Sequence, residues 1–158
     1  MKPPSSTLQI DLEALPGHQI RRLQQIAVGL FMEEAEAFEL TPVQFAALAT
    51  VARQPGIDQR TLARTIGFDT STIGGVIDRL ERRGLMLRNA APDDRRVRRL
   101  TVTAEGTQVL AQVLPHALQA QHRILSPLSA AEQAQFMRLL GRLVEANNSA
   151  SRAPSEPG

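Results

Sequence analysis

Apolar residues at Ile73, Val76, Ile77 and Leu80 recur at i, i+3, i+4 and i+7, the spacing of one helix face. Asp69, Thr70 or Ser71 can cap the start of this stretch, and Gly84 sits where a left-handed C-cap belongs. Together they predict a helix of about four turns. At about 100° per residue, Ser71, Gly75, Asp78, Arg79 and Arg82 occupy the opposite side. Two short apolar–polar runs, 85–89 and 97–102, flank Pro92-Asp93-Asp94 and predict a β-hairpin. Upstream, Thr41 and Pro42 open a helix ending near Arg53, and Asp58 caps a short one carrying Leu62, Ala63 and Ile66. The turn Gly67-Phe68-Asp69 then joins two helices into a helix-turn-helix.

Longer helices flank this unit. A first runs from about 16 to 38, and its stretch IAVGLFM (26–32) is apolar around most of its circumference, which implies burial on two sides. Thr103 caps a fifth helix reaching about Leu125, with the stripe Val109, Leu110, Val113, Leu114, Ala117 and Leu118 and an expected kink at Pro115. Ser129 and Glu132 form a capping box for a sixth helix carrying Phe136, Leu139, Leu140, Leu143 and Val144. These helices hold more apolar surface than the middle unit can cover, so a homodimer through 16–38 and 104–147 is expected; an extended monomeric core is the alternative. Residues 1–14 and 148–158 read as disordered tails. The fold class is mainly α with a small β wing: a winged helix-turn-helix over about 41–102 within a domain spanning 15–147.

Charge sharpens this picture. Between Arg79 and Arg99 stand eight Arg against Glu81, Asp93 and Asp94, a local net of +5 in a chain whose total is +2. Concentrated basicity beside a capped helix and a hairpin fits a helix in the DNA major groove with a wing on the flanking minor groove. Gly74 and Gly75 each cost roughly 1 kcal/mol against Ala inside a helix. Gly75 has a functional explanation, close approach of the backbone to DNA; packing on a neighbouring helix is the alternative for both. The candidate DNA-binding residues are Thr70, Ser71, Thr72, Gly75, Arg79, Arg82, Asp94, Arg95, Arg96 and Arg98.

The segment 92–106, PDDRRVRRLTVTAEG, resembles the wing signature of the MarR family of bacterial transcription regulators. Asp94 and Arg96 match its Asp and Arg, while Leu100 and Thr101, then Thr103, Glu105 and Gly106, match its short strand and the helix opening after it. VIDRLERRGL, Val76 to Leu85, is similar to the end of the family's recognition helix. Gly74-Gly75 stand where many members carry Ser-Arg, so no base preference is carried over. The resemblance covers roughly residues 16–147. A carboxylate beside two guanidiniums can fix one by a bidentate pair and aim the other at the minor groove, which assigns Asp94 to holding and Arg95 or Arg96 to insertion. A turn that is merely charged is the alternative.

The resemblance also implies an operator of double-stranded DNA and release by a small molecule, often an aromatic carboxylate or its coenzyme A thioester, bound between the dimer helices and the winged unit. The stretch 16–31 with 40–48 is similar to the members controlling aromatic-acid catabolism. Arg21 or Arg22, beside His18, can pair an effector carboxylate or phosphate, and Phe31, Phe38 and Phe45 can wall a pocket. Surface Arg and ordinary core Phe are the alternative.

Other classes find less support. No apolar run approaches 18 residues and no secretory h-region appears, so a cytoplasmic protein without membrane contact is expected. The absence of Cys excludes disulfides and thiolate zinc sites. No nucleophile elbow, phosphate loop or catalytic acid pair appears, and no cofactor is implied; Ser126-Pro127-Leu128-Ser129 is a helix connection. His116 and His122, six apart, do not share a helix face; with His18 they are the only histidines, leaving a metal-responsive regulator using Glu33, Glu34 or Glu36 as a minor alternative. A winged protein-binding module is another, disfavoured by four Arg at 95, 96, 98 and 99.

Overall fold

The computed structural model describes residues 10–155. A 3-10 turn at Leu12–Ala14 precedes α1 (Pro16–Glu34), and a second at Glu36–Phe38 precedes α2 (Pro42–Arg53) and α3 (Gln59–Thr65). Next come α4 (Ile73–Arg82) and an antiparallel hairpin, β1 (Met86–Ala90) and β2 (Arg98–Val102). α5 (Ala104–Leu125) and α6 (Ala130–Asn147) follow. This is the mainly helical winged architecture that the periodicity predicts.

Local capping explains most boundaries. Thr41 and Gln44 exchange side-chain and backbone hydrogen bonds at the head of α2, as Ser129 and Glu132 do at α6. The Asp58 carboxylate accepts from the Thr61 N–H at 2.9 Å, and the Thr103 hydroxyl from the Gly106 N–H at 2.9 Å. Two helices are shorter than expected. α4 has ten residues because the Asp69 carbonyl accepts from both Thr72 and Ile73, each at 3.1 Å, winding 70–72 into a turn ahead of the helix. α1 stops at Glu34: the chain tightens over Glu36–Phe38, and Glu39 reverses it at φ +50°. The expected tails are partly structured. Asp11 caps the turn at Leu12–Ala14, and 148–155 form a hydrogen-bonded loop; 1–9 and 156–158 lie outside the described residues.

Leu48, Val51, Leu62, Ile73, Ile77, Leu80, Met86 and Leu100 are fully buried and join α2, α3 and α4 to the base of the wing. Phe31, Ala35, Val113, Ala117 and Ala120 extend this core between α1 and α5. Beyond it, burial stops. The α5 stripe divides: Val113 and Ala117 face inward, but Leu114 and Leu118 are 45% and 61% exposed. α5 continues as one helix through Pro115. α6 buries no side chain, and Leu139, Leu143 and Val144 lie open, as do Ile20 and Ile26 of α1. In the single chain, the run 26–32 contributes only Phe31 to the buried set.

The wing is seated by backbone geometry. Gly84 takes φ +70°, a left-handed conformation that ends α4 without steric cost. The Thr103 hydroxyl donates to the Gly84 carbonyl at 2.6 Å while its N–H donates to Leu85 at 3.1 Å. Gly106 is required at this junction, because a Cβ there would collide with the Leu85 carbonyl. The Gly56 N–H donates to the Leu100 carbonyl at 2.8 Å and the Leu100 N–H to Ile57 at 2.9 Å, pinning the turn before α3 to β2.

Candidate nucleic-acid interface

The outer face of α4 carries the residues that the periodicity assigns to it. Gly75, Asp78, Arg79 and Arg82 are exposed on it, as are Thr70, Ser71 and Thr72 in the turn ahead of the helix. The two glycines differ. A Cβ on Gly74 would meet the Gln59 Nε2 at 3.3 Å, whereas one on Gly75 would meet nothing within 4 Å. Packing therefore accounts for Gly74 and not for Gly75, whose bare backbone faces open space.

The eight Arg of 79–99 do not act alike. Arg83 donates to the carbonyls of Phe38 and Glu39, and Arg99 to the Gly56 carbonyl at 3.0 Å. Arg88, half-buried on β1, pairs with Asp78, with Glu81 at 2.9 Å, and with the Gln59 amide oxygen at 3.3 Å. Burial alone would lower its basicity, but the hydrogen bonds and charges of Asp78 and Glu81 outweigh that and raise it. The pairing places a guanidinium against two carboxylates of the recognition helix, offsetting the repulsion that Asp78 would exert on a phosphate. Arg83, Arg88 and Arg99 thus have their guanidiniums engaged within the chain, although Arg83 and Arg99 stay solvent-exposed and the sequence pattern counts all three as DNA-facing charge. For Arg88 a signal exists: Asp78 and Glu81 lie three apart on one helix and call for a cation.

Arg79, Arg82, Arg95, Arg96 and Arg98 are exposed as well. Arg82 Nε donates to the Asp78 carbonyl at 3.3 Å, which lays its side chain back along α4. In the wing, the Asp94 carboxylate accepts from the backbone N–H of Arg96 at 2.9 Å, a bond to the turn backbone in place of the bidentate guanidinium pair expected of it. The Val97 N–H donates to the Asp94 carbonyl at 3.0 Å and closes the tip. Between wing and helix-turn-helix opens a concavity of about 740 Å³, lined by Asp58, Gln59, Arg60, Thr70, Arg96 and Arg98. Arg60, at the start of α3, is a residue that the sequence pattern does not single out.

Two carboxylates at this face stay ionised. Burial pushes Asp58 up, but hydrogen bonds from the Thr61 hydroxyl and from backbone N–H groups outweigh it and hold the carboxyl below its usual range. The Ser71 hydroxyl and N–H lower Asp69 in the same way, at 2.7 and 2.8 Å.

The effector candidates fall into two places. His18, Arg21 and Arg22 gather at the head of α1: His18 lies 3.4 Å from Arg21 and 3.6 Å from Glu13, which pairs with Arg22 at 3.1 Å. Phe31 is buried and meets Phe45 with ring centroids 5.7 Å apart, while Phe38 meets His116 at 5.3 Å. Thirteen residues at 1.5 Å rise separate His18 from Phe31, about 20 Å, so one chain does not bring the two groups together. Glu33 and Glu34 pair with Arg123 at 3.2 and 2.7 Å. Among the described residues, no three of His, Asp and Glu converge as metal ligands, and no helix is long and apolar enough to cross a membrane.

Comparison with known proteins fits this geometry. Residues 40–97, from the start of α2 to the wing tip, match the MarR family. Over 129 residues the chain is 33% identical to the transcriptional regulator HosA of Escherichia coli O111:H-, covering 82% of this chain and 94% of HosA. It superimposes on the PcaV regulator of Streptomyces coelicolor, solved with its natural ligand, with a TM-score of 0.78 at 38% identity, over 87% of this chain and 97% of PcaV. BpsR of Bordetella bronchiseptica, whose DNA binding is regulated by 6-hydroxynicotinic acid, gives a TM-score of 0.80 at 27% identity over 85% of this chain and 96% of BpsR. The chain belongs to the MarR family of transcriptional regulators, DNA-binding proteins rather than enzymes.

Proposed function

We propose that this regulator is a homodimeric repressor that holds a pseudo-palindromic operator and releases it on binding a small aromatic acid or its coenzyme A thioester. The observation that carries the reading is the concavity shared by Thr70, at the head of the recognition helix, and Arg96 and Arg98 of the wing. It lets one duplex meet α4 in its major groove and the wing beside it. Arg79 and Arg82 are the base-reading candidates, Gly75 allows close approach, and Thr70, Ser71, Thr72, Arg95, Arg96 and Arg98 take phosphate or groove shape, with Asp94 setting the tip.

The exposed apolar faces of α1, α5 and α6 support the dimer, since unpartnered helix faces of this kind are covered in a stable assembly. Two recognition helices then read half-sites about 34–36 Å apart. A ligand lowers affinity if it binds a different spacing better than the DNA-competent one. The His18, Arg21 and Arg22 cluster is the anion end of the effector site, and it lies beside the exposed Ile20 that a partner would cover. The behaviour of BpsR toward an aromatic acid supports the ligand class.

A gel-shift titration on DNA from the gene's own upstream region tests this, at fixed salt, with and without aromatic acids and their coenzyme A thioesters. The expected result is nanomolar, competitor-resistant binding released by one compound. Binding no tighter than to random duplex overturns the repressor reading.

A further inference from the structure

The segment after α6 folds back onto the reading head. The Asn148 amide donates to the Ser155 carbonyl at 2.8 Å, and its oxygen accepts from the Ser155 N–H and hydroxyl at 3.0 and 3.2 Å. The Ser151 hydroxyl accepts from the Ala153 N–H at 3.1 Å, so 148–155 form a closed loop with Arg152 near its tip. This loop lies against the helix-turn-helix turn: the Ser155 Cβ is 3.8 Å from where a Cβ of Gly67 would stand. Arg152 and Pro154 line a concavity of about 170 Å³ with Arg60, Arg64, Phe68 and Thr70.

Two features give this concavity a ligand class and a place. Arg60 and Arg152 bring guanidiniums to it, and Arg152 also lies close enough to the Asp69 carboxylate to favour its ionised form, so an incoming phosphate would share Arg152 with that carboxylate. Arg60 and Thr70 also line the larger concavity under the wing, so the two adjoin, and guanidiniums run from Arg96 and Arg98 through Arg60 to Arg152, with the Asp58 carboxylate among them. Arg152 is exposed.

We propose that the loop at 148–155 is part of the DNA-contacting surface, with Arg152 taking a backbone phosphate at the end of that surface remote from the wing. The proposal rests on the DNA-binding reading of α4 and the wing. Because the loop leaves directly from α6, a movement of that helix carries Arg152 with it and links the dimer helices to DNA affinity.

One phosphate contact contributes about 0.9 to the slope of log K against log salt, which at 0.15 M amounts to about fivefold in affinity. Salt titrations of wild type and Arg152→Ala on operator and on random duplex read this directly. Arg152→Ala is expected to weaken both by about fivefold and to lower the slope by about 0.9, and Arg152→Lys to restore most of the loss. Asn148→Ala removes the three clamping bonds, leaves the guanidinium, and is expected to weaken binding in the same direction. Specific binding by wild type with Arg152→Ala unchanged in affinity and slope overturns the role of the loop alone. Wild type that binds operator no better than random duplex removes the underlying reading as well.

Discussion

The Arg83 guanidinium donates to the Glu39 carbonyl at 2.7 Å and to the neighbouring Phe38 carbonyl at 2.8 Å. Glu39 stands at φ +50°, where the chain leaves α1 and turns toward α2. The C-terminus of the recognition helix is thereby tied to the turn that links α1 to α2. Arg83→Ala is expected to lower stability by about 1–2 kcal/mol, since two hydrogen bonds from a charged donor are lost. Operator affinity should fall with the salt slope unchanged, because no phosphate contact is removed. Arg83→Lys, lacking the planar fork, should recover only part. Urea unfolding and salt-dependent gel shifts check both; a lowered slope would mean that Arg83 touches DNA.

Gly75→Ala separates stability from function. Its Cβ meets nothing within 4 Å, so the helix should gain roughly 0.5–1 kcal/mol. Operator affinity should drop nonetheless, as the methyl group intrudes where backbone approaches DNA. A variant with raised Tm and undiminished affinity would assign Gly75 no role at the interface.

Arg79→Ala or Arg82→Ala should each cost about 1–3 kcal/mol on the operator, with altered preference at one base position. Arg96→Ala should weaken binding with little change in preference, since a wing reads phosphate and groove shape. Binding to a library of single-base operator variants distinguishes them. Equal behaviour of all three would contradict the division of labour between α4 and the wing.

Leu118 and Leu143, 61% and 57% exposed on α5 and α6, test the dimer. Glu at both positions leaves the winged core untouched, because neither residue belongs to it. Sedimentation should show a monomer with native helix content, and operator affinity should fall by at least about tenfold as the second half-site is lost. A double variant that still sediments as a dimer would place the interface elsewhere.

What is legible in the chain is local. Thr41, Asp58, Thr103 and Ser129 cap helices through bonds reaching three residues along the sequence, so four helix starts can be read within a residue. The α4 stripe Ile73, Val76, Ile77 and Leu80 is buried as its spacing requires. Gly84 adopts the positive φ expected of a helix stop.

The sequence by itself thus determined the order of elements, the winged architecture and the outward face of the recognition helix, because periodicity and capping act over a few neighbouring residues. Tertiary structure decided which charges are available. Arg83 and Arg99 look like their neighbours in the basic run, and only contacts 44 and 43 residues away engage their guanidiniums. It likewise distinguished Gly74 from Gly75, through a Gln59 side chain brought in from another helix, and set a C-terminal loop beside the reading head. Such partners are chosen by packing across the core, and a linear pattern of apolar and polar positions carries no record of them.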